Sequence, residues 1–210
     1  MPIFFESPVD VELARSCPRI LSIAALFWLY RRLRAADTSP KSSTAIPASC
    51  WSATGIFLAP VLVQGMGLEG NARDVFAAAS LLVGLREELA YRGILQSFLT
   101  RRLGLGASLV VSNLLFIAYH FGTQPFTLHY VLQIFFVGFI IGLAYHLTGR
   151  LWFAAALHAV YDAIDSFSPF LTPPLPDYVC TVVFVSTLAV FLIANRRLLR
   201  AAATSGSRPN

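Results

Sequence analysis

The run Leu103–Gly149, LGLGASLVVSNLLFIAYHFGTQPFTLHYVLQIFFVGFIIGLAYHLTG, contains no Asp, Glu, Lys or Arg. A helix that crosses a bilayer needs about 20 apolar residues, so this run predicts two spans. Gly122 and Pro125 break it in the middle. One span therefore covers roughly 105–120 and the next roughly 126–147. A stretch this long without charge decides the fold class: all-α, a polytopic transmembrane helical bundle.

Outward from that run the same pattern repeats. Downstream, a span begins at Leu151 and reaches Asp162 or Asp165. The proline-rich segment Ser166–Asp177 reads as an exposed connection, and a last span covers Tyr178–Asn195. Upstream, a helix starts near Val75 and ends before Arg101, Arg102 and Gly104. Before it lie an uncharged stretch, Ala45–Leu68, and a short apolar segment, Ile20–Tyr30, that spans or rests at the interface. The count is about seven spans. The domain reading is a segment 1–44 with the first short span and a cytoplasmic loop, a bundle 45–200, and a flexible tail 201–210. Composition agrees, with 56% hydrophobic and 13% charged residues against about 25% charged in soluble domains.

The net charge is +5, and Lys41 is the only lysine among 16 basic residues. Those residues sit at the ends of apolar segments, which is the signature of membrane topology, not of nucleic-acid binding. The loop 31–44, Arg101–Arg102, Arg150 and the C-terminal tail fall on one side when the spans alternate. The positive-inside rule makes that side cytoplasmic, C-terminus included. Cys17, Cys50 and Cys180 show no CxxC or zinc-type spacing and read as buried free thiols. The N-terminus has no basic n-region of a cleaved signal peptide.

The sequence Glu87-Glu88-Leu89-Ala90-Tyr91-Arg92 places three formal charges inside a greasy helix. Each charge at membrane depth costs roughly 2.5–3.5 kcal/mol on insertion scales, a cost met mainly where chemistry or transport requires it. Glu88 and Arg92 are i and i+4 and share a face, so they pair. Glu87 lies about 100° around the helix and has no such partner, which makes it the freer carboxylate and the candidate general base or acid. The bland alternative is a structural ion pair plus a snorkelling glutamate. His120 closes one apolar span, and His158 has Asp162 four residues on along another. His129 and His146, near span ends, read as interfacial or structural. A Glu, two His and an Asp on three helices suit water activation and proton delivery in amide hydrolysis. Neither GxSxG nor HExxH is present, so serine-nucleophile and helix-zinc chemistries lack their signatures.

These residues resemble the CAAX prenyl endopeptidase and bacteriocin-processing (CPBP) intramembrane proteases, whose motifs are EExxxR, FxxxH and HxxxN/D on successive helices. Here they stand as Glu87–Arg92, Phe116–His120 and His158–Asp162, and the match covers roughly 75–165. The resemblance implies an endopeptidase in which Glu87 activates water and His120 helps hold it. It assigns His158 and Asp162 to the oxyanion, and Glu88, Arg92 and Phe116 to support. Where many members have Asn, this chain has Asp162, which cannot donate when ionised. Asp162 then orients His158, which donates in its place. Two His and a Glu are also a zinc-compatible set, but no ligand pair sits at short spacing. The favoured reading has no metal and no other cofactor.

The implied partners are a peptide or protein substrate and the lipid bilayer. Two other classes use buried Glu and His or keep such a fold: a proton-coupled transporter, and a non-catalytic immunity or scaffold protein. The absence of an internal repeat argues against the first, and the intact motifs argue against the second. Depth sets one condition. Along straight helices Glu87 lies about 18 Å from Val75 and His120 about 27 Å from Arg102. Tilt or an interfacial stretch is needed for the two to meet.

Overall fold

In a computed structural model, which describes residues 7–35, 58, 61, 68–121, 127–167, 176–197 and 199–200, the regular elements are helical. They are α1 (Pro8–Ala35), α2 (Gly70–Glu88), a π-helical segment (Leu89–Gln96), α3 (Ser97–Tyr119), α4 (Leu128–Thr148), α5 (Leu151–Phe167) and α6 (Asp177–Ala194). Among the described residues two helical stretches are long and apolar enough to cross a membrane, Gly70–Tyr119 and Tyr130–Thr148, and Thr181–Ala194 is a shorter apolar helix. The expected span at 45–68 lies outside the described residues except for Leu58, Val61 and Leu68. So do the 36–44 loop, most of the proline-rich segment and the tail.

Three sequence expectations change. The helix around the first apolar segment is longer than the segment itself: α1 has 28 residues and carries Pro18 inside it. The double-glutamate helix begins at Gly70, not near Val75, and runs without a break through the π segment into α3. Cys17 is exposed, not buried; nothing is described of the side chains of Cys50 and Cys180.

Gly104 is the hinge on which the two motif-bearing arms meet. Its φ of +76° and ψ of 172° lie in a region essentially reserved for glycine. The chain folds back there, and the two arms face each other. Thr100 Oγ1 meets Ser108 Oγ at 2.8 Å. Further out, the Tyr91 and Phe116 rings pack at 5.0 Å, and Arg86 donates to the Tyr119 hydroxyl. Glu87 lies seventeen residues before Gly104 and His120 sixteen after it. At ~1.5 Å per residue both stand about 25 Å from the turn. The depth difficulty disappears because the two arms are measured from a common hinge.

The polar residues are inside and many large apolar ones outside. Glu87, Glu88, Arg92, Gln96, Ser108, Ser112, Asn113 and His158 are buried, while Leu81, Leu114, Val182 and Ile193 are exposed. That inversion suits a surface solvated by lipid, where buried polar groups must find partners within the protein. The apolar core centres on α4, with Val137, Ile140, Ile141 and Leu143 packed against Leu109, Phe153, Leu157, Phe184 and Phe191. Thr127 caps α4 by accepting from the Tyr130 N–H at 3.2 Å.

Candidate functional site

Close packing of α2 on α5 builds the site. A Cβ at Gly84 would lie 3.0 Å from both the Ala155 carbonyl oxygen and the Ala159 nitrogen. A side chain there would press on the α5 backbone, and the residues opposite are small alanines, so the two helices approach closely. One turn further along α2, that approach delivers Glu87 and Glu88 to His158.

Glu88 is fully buried and its two oxygens serve two partners. Oε1 accepts from His158 Nδ1 at 2.7 Å, and Oε2 stands 3.2 Å from Arg92 Nε. The i,i+4 pairing read from the sequence is present. Arg92 and Gln96 lie in the π segment that follows Glu88. Arg92 Nη2 donates to the Gly138 carbonyl at 2.8 Å, and Gln96 Nε2 to the Gly142 carbonyl at 2.9 Å. The four-residue step on one helix thus matches the four-residue step on α4. Burial of the ion pair is supported by these bonds and by the Phe116 ring, whose centroid lies 4.7 Å from the Arg92 guanidinium carbon.

Glu87 faces the other way, into a cavity of about 860 Å³ that is also lined by Arg86, Phe116, His120, His158 and Asp162. Its Oε1 is 3.3 Å from Arg86 Nη2. Its Oε2 is buried and has no hydrogen-bond partner among the described residues, and it lies 3.9 Å from His158 Nε2. Asp162 Oδ2 stands 3.5 Å from that same Nε2. The residue that grips His158 is therefore Glu88, seventy positions away in sequence, and Asp162 contacts the opposite ring nitrogen. His120 Nδ1 donates to the Phe116 carbonyl at 2.8 Å, which in the neutral ring makes Nε2 an acceptor. The Phe116 ring lies 4.6 Å from the His120 ring and 6.0 Å from the His158 ring, so it holds both imidazoles and Arg92 together.

The structure thus gathers every residue singled out in the sequence. Glu87, His120, His158, Asp162 and Phe116 line one cavity, with Glu88 and Arg92 behind them. Arg86 was missed. It precedes the double glutamate by one position and reads as an ordinary helix-surface arginine, yet it lines the cavity and touches both Glu87 and Tyr119. Arg15 and Arg19 of α1 also line the cavity, and both are ion-paired with the buried Glu12. Burial tends to push the Glu12 carboxyl up, but hydrogen bonds and charge from Arg19 and Arg15 leave it below the usual carboxylate range. Among the described residues no three His, Cys, Asp or Glu are gathered closely enough to hold a metal ion.

Residues 71–164 match a family model described as Type II CAAX prenyl endopeptidase Rce1-like. All three motifs fall inside the matched segment, and the resemblance read from them is borne out. No curated protein and no solved structure matches the chain. That family is one of membrane-integral proteases, which fits the apolar helices of this chain.

Proposed function

We propose, from the premise that residues 71–164 belong to the type II CAAX prenyl endopeptidase Rce1-like family, that this chain is a multi-pass intramembrane endopeptidase that uses water activated by Glu87. Its C-terminus is cytoplasmic, and its substrate is a membrane-associated or C-terminally processed protein. The observation that carries the reading is Glu87 Oε2, a buried carboxylate oxygen without a hydrogen-bond partner among the described residues, at the wall of a cavity shared with two histidines.

The chemistry follows from donors and acceptors. A water in the cavity gives one proton to Glu87 Oε2 while its oxygen attacks the peptide carbonyl carbon. His120 Nε2 accepts the water's other hydrogen and fixes its direction. The oxyanion then needs a donor. Because His158 Nδ1–H is committed to Glu88, Nε2 donates only when the ring carries both protons. The carboxylates of Glu88 and Asp162, at 2.7 and 3.5 Å, balance that charge. Collapse of the tetrahedral intermediate breaks the C–N bond, and Glu87 passes its proton to the leaving amine. Asp162 acts in this scheme as a counter-charge to His158, not as an oxyanion donor.

The scheme needs no metal. Chelator treatment should leave cleavage intact, and loss of activity restored by added zinc would overturn that choice. The function itself is tested by comparing protein N- and C-termini in cells carrying the parent chain or Glu87→Ala. New termini that depend on Glu87 support the reading. Identical termini in the two strains, with both proteins inserted at equal levels, would refute it.

A further inference from the structure

A second, smaller cavity lies away from the first along α1. The large cavity touches that helix at residues 15–22, and the small one touches it at Tyr30, Leu33 and Arg34. Eight residues separate Ser22 from Tyr30, about 12 Å of helix. The small cavity holds about 100 Å³, enough for several water-sized groups. That admits a tetrahedral oxyanion.

Its wall is suited to an anion. Arg34 and Arg101 supply guanidinium groups, and Tyr30, Ser97 and Tyr145 supply hydroxyls, with no carboxylate among the lining residues. Arg34 Nη1 donates to the Tyr30 hydroxyl at 2.5 Å, and its Nη2 reaches the Gly149 carbonyl at 3.5 Å. Ser97 Oγ and the Tyr145 hydroxyl are 3.1 Å apart. Planar guanidinium forks match phosphate oxygens in pairs.

The surroundings indicate where such an anion comes from. Arg32 stacks on exposed Trp28 at 5.0 Å, and Arg150 lies 5.8 Å from the ring of exposed Trp152. Tryptophan, tyrosine and arginine gathered at one level mark the headgroup layer of a membrane. Basic pockets between helices at that level recognise lipid phosphates.

We infer that the cleft between the end of α1, the π segment with the start of α3, and α4 binds the phosphate of an anionic membrane lipid, gripped by Arg34 and Arg101. The site is independent of the peptidase reading. Its occupant would tie α1 to the π segment that carries Arg92.

The test is native mass spectrometry of the full chain released from detergent with phosphatidylglycerol or phosphatidylcholine. The parent should retain phosphatidylglycerol in preference. Arg34→Gln/Arg101→Gln should lower that retention at least about tenfold, whereas Arg31→Gln/Arg32→Gln, which removes the same charge beside the cleft, should lower it much less. Ser97→Leu fills the cavity without altering charge and should also abolish the preference, which separates loss of the site from misfolding caused by arginine loss. Equal losses in the two arginine doubles, no effect of Ser97→Leu, or no preference over phosphatidylcholine would each overturn the inference. Delipidated protein titrated with inorganic phosphate distinguishes the sources. Saturable phosphate binding that Arg34→Gln/Arg101→Gln removes, without lipid preference, would mean a soluble oxyanion site and overturn the lipid assignment.

Discussion

Glu88→Gln separates the two neighbouring glutamates by what each is for. The substitution keeps shape and removes one charge from a fully buried position. Arg92, whose side chain is 2% exposed, would keep the Gly138 carbonyl and the Phe116 ring but lose its carboxylate. The amide can accept from His158 or from Arg92, and its NH₂ then points a donor at the other donor. Removing one partner of a buried ion pair costs about 3–5 kcal/mol. For a chain of this size each kcal/mol moves the midpoint by about 2–4 °C, so the expected drop is roughly 6–20 °C. Thermal unfolding in detergent, followed by tryptophan fluorescence, reads it. Glu87→Gln is the control. Its cationic neighbour Arg86 is a quarter exposed and keeps access to water, so loss of the Glu87 charge strands no buried cation and should move the midpoint little. Glu88→Gln/Arg92→Met, which removes both charges, should regain much of the lost stability. A Glu88→Gln protein that melts with the parent, or a Glu87→Gln protein that melts as low as Glu88→Gln, would refute the assignment of structure to one and chemistry to the other.

The remaining expectations concern activity and packing. Glu87→Gln should lower peptide cleavage by about 10²–10⁴, the range of general-base contributions, in a single-turnover assay on purified protein. Unchanged cleavage would remove Glu87 from the mechanism. Gly84→Val pushes a side chain into the Ala155 and Ala159 backbone. It should cost about 1–3 kcal/mol and reduce cleavage more than a stability loss explains, because Glu87 and His158 move apart. A crosslink yield between cysteines placed on α2 and α5 would report that separation. Arg86→Gln should lower kcat with little change in melting temperature, since the glutamine amide can still donate to the buried Glu87 carboxylate while the positive charge beside it is lost. A fall in KM alone would contradict a positioning role.

Much of the site was legible because membrane helices tolerate few charges. In a chain with so little polarity, Glu87, Glu88, Arg92, His120, His158 and Asp162 stand out as departures, and their spacing already pairs Glu88 with Arg92. The hinge at Gly104 was legible as a break beside Arg101 and Arg102, although its consequence for depth was not. What the sequence hid is tertiary. The segment Leu89–Gln96 reads as ordinary helix. Its long side chains bond carbonyls of α4, and i,i+4 reasoning does not reveal that coupling. The bond between Glu88 and His158 joins residues seventy apart, so the nearer Asp162 stood out as the natural partner. Arg86 was invisible for a different reason. Its role depends on Tyr119, which meets it only because the hairpin closes. The length of α1 was underestimated because its apolar stretch is shorter than its helix, and polar ends fold as readily as greasy ones when they pack on α2.

The fold-back at Gly104 works as a ruler. Because Glu87 and His120 sit nearly equal distances from it, one extra residue in a single arm would rotate its side chain by about 100° and shift it by about 1.5 Å, which separates the pair. A matched turn of helix added to both arms would keep them together and carry them about 5.4 Å further from the bend. The place along the lipid depth where a polypeptide is cut would then follow the length of the two arms, so relatives with longer or shorter hairpins should sever their targets at correspondingly displaced positions.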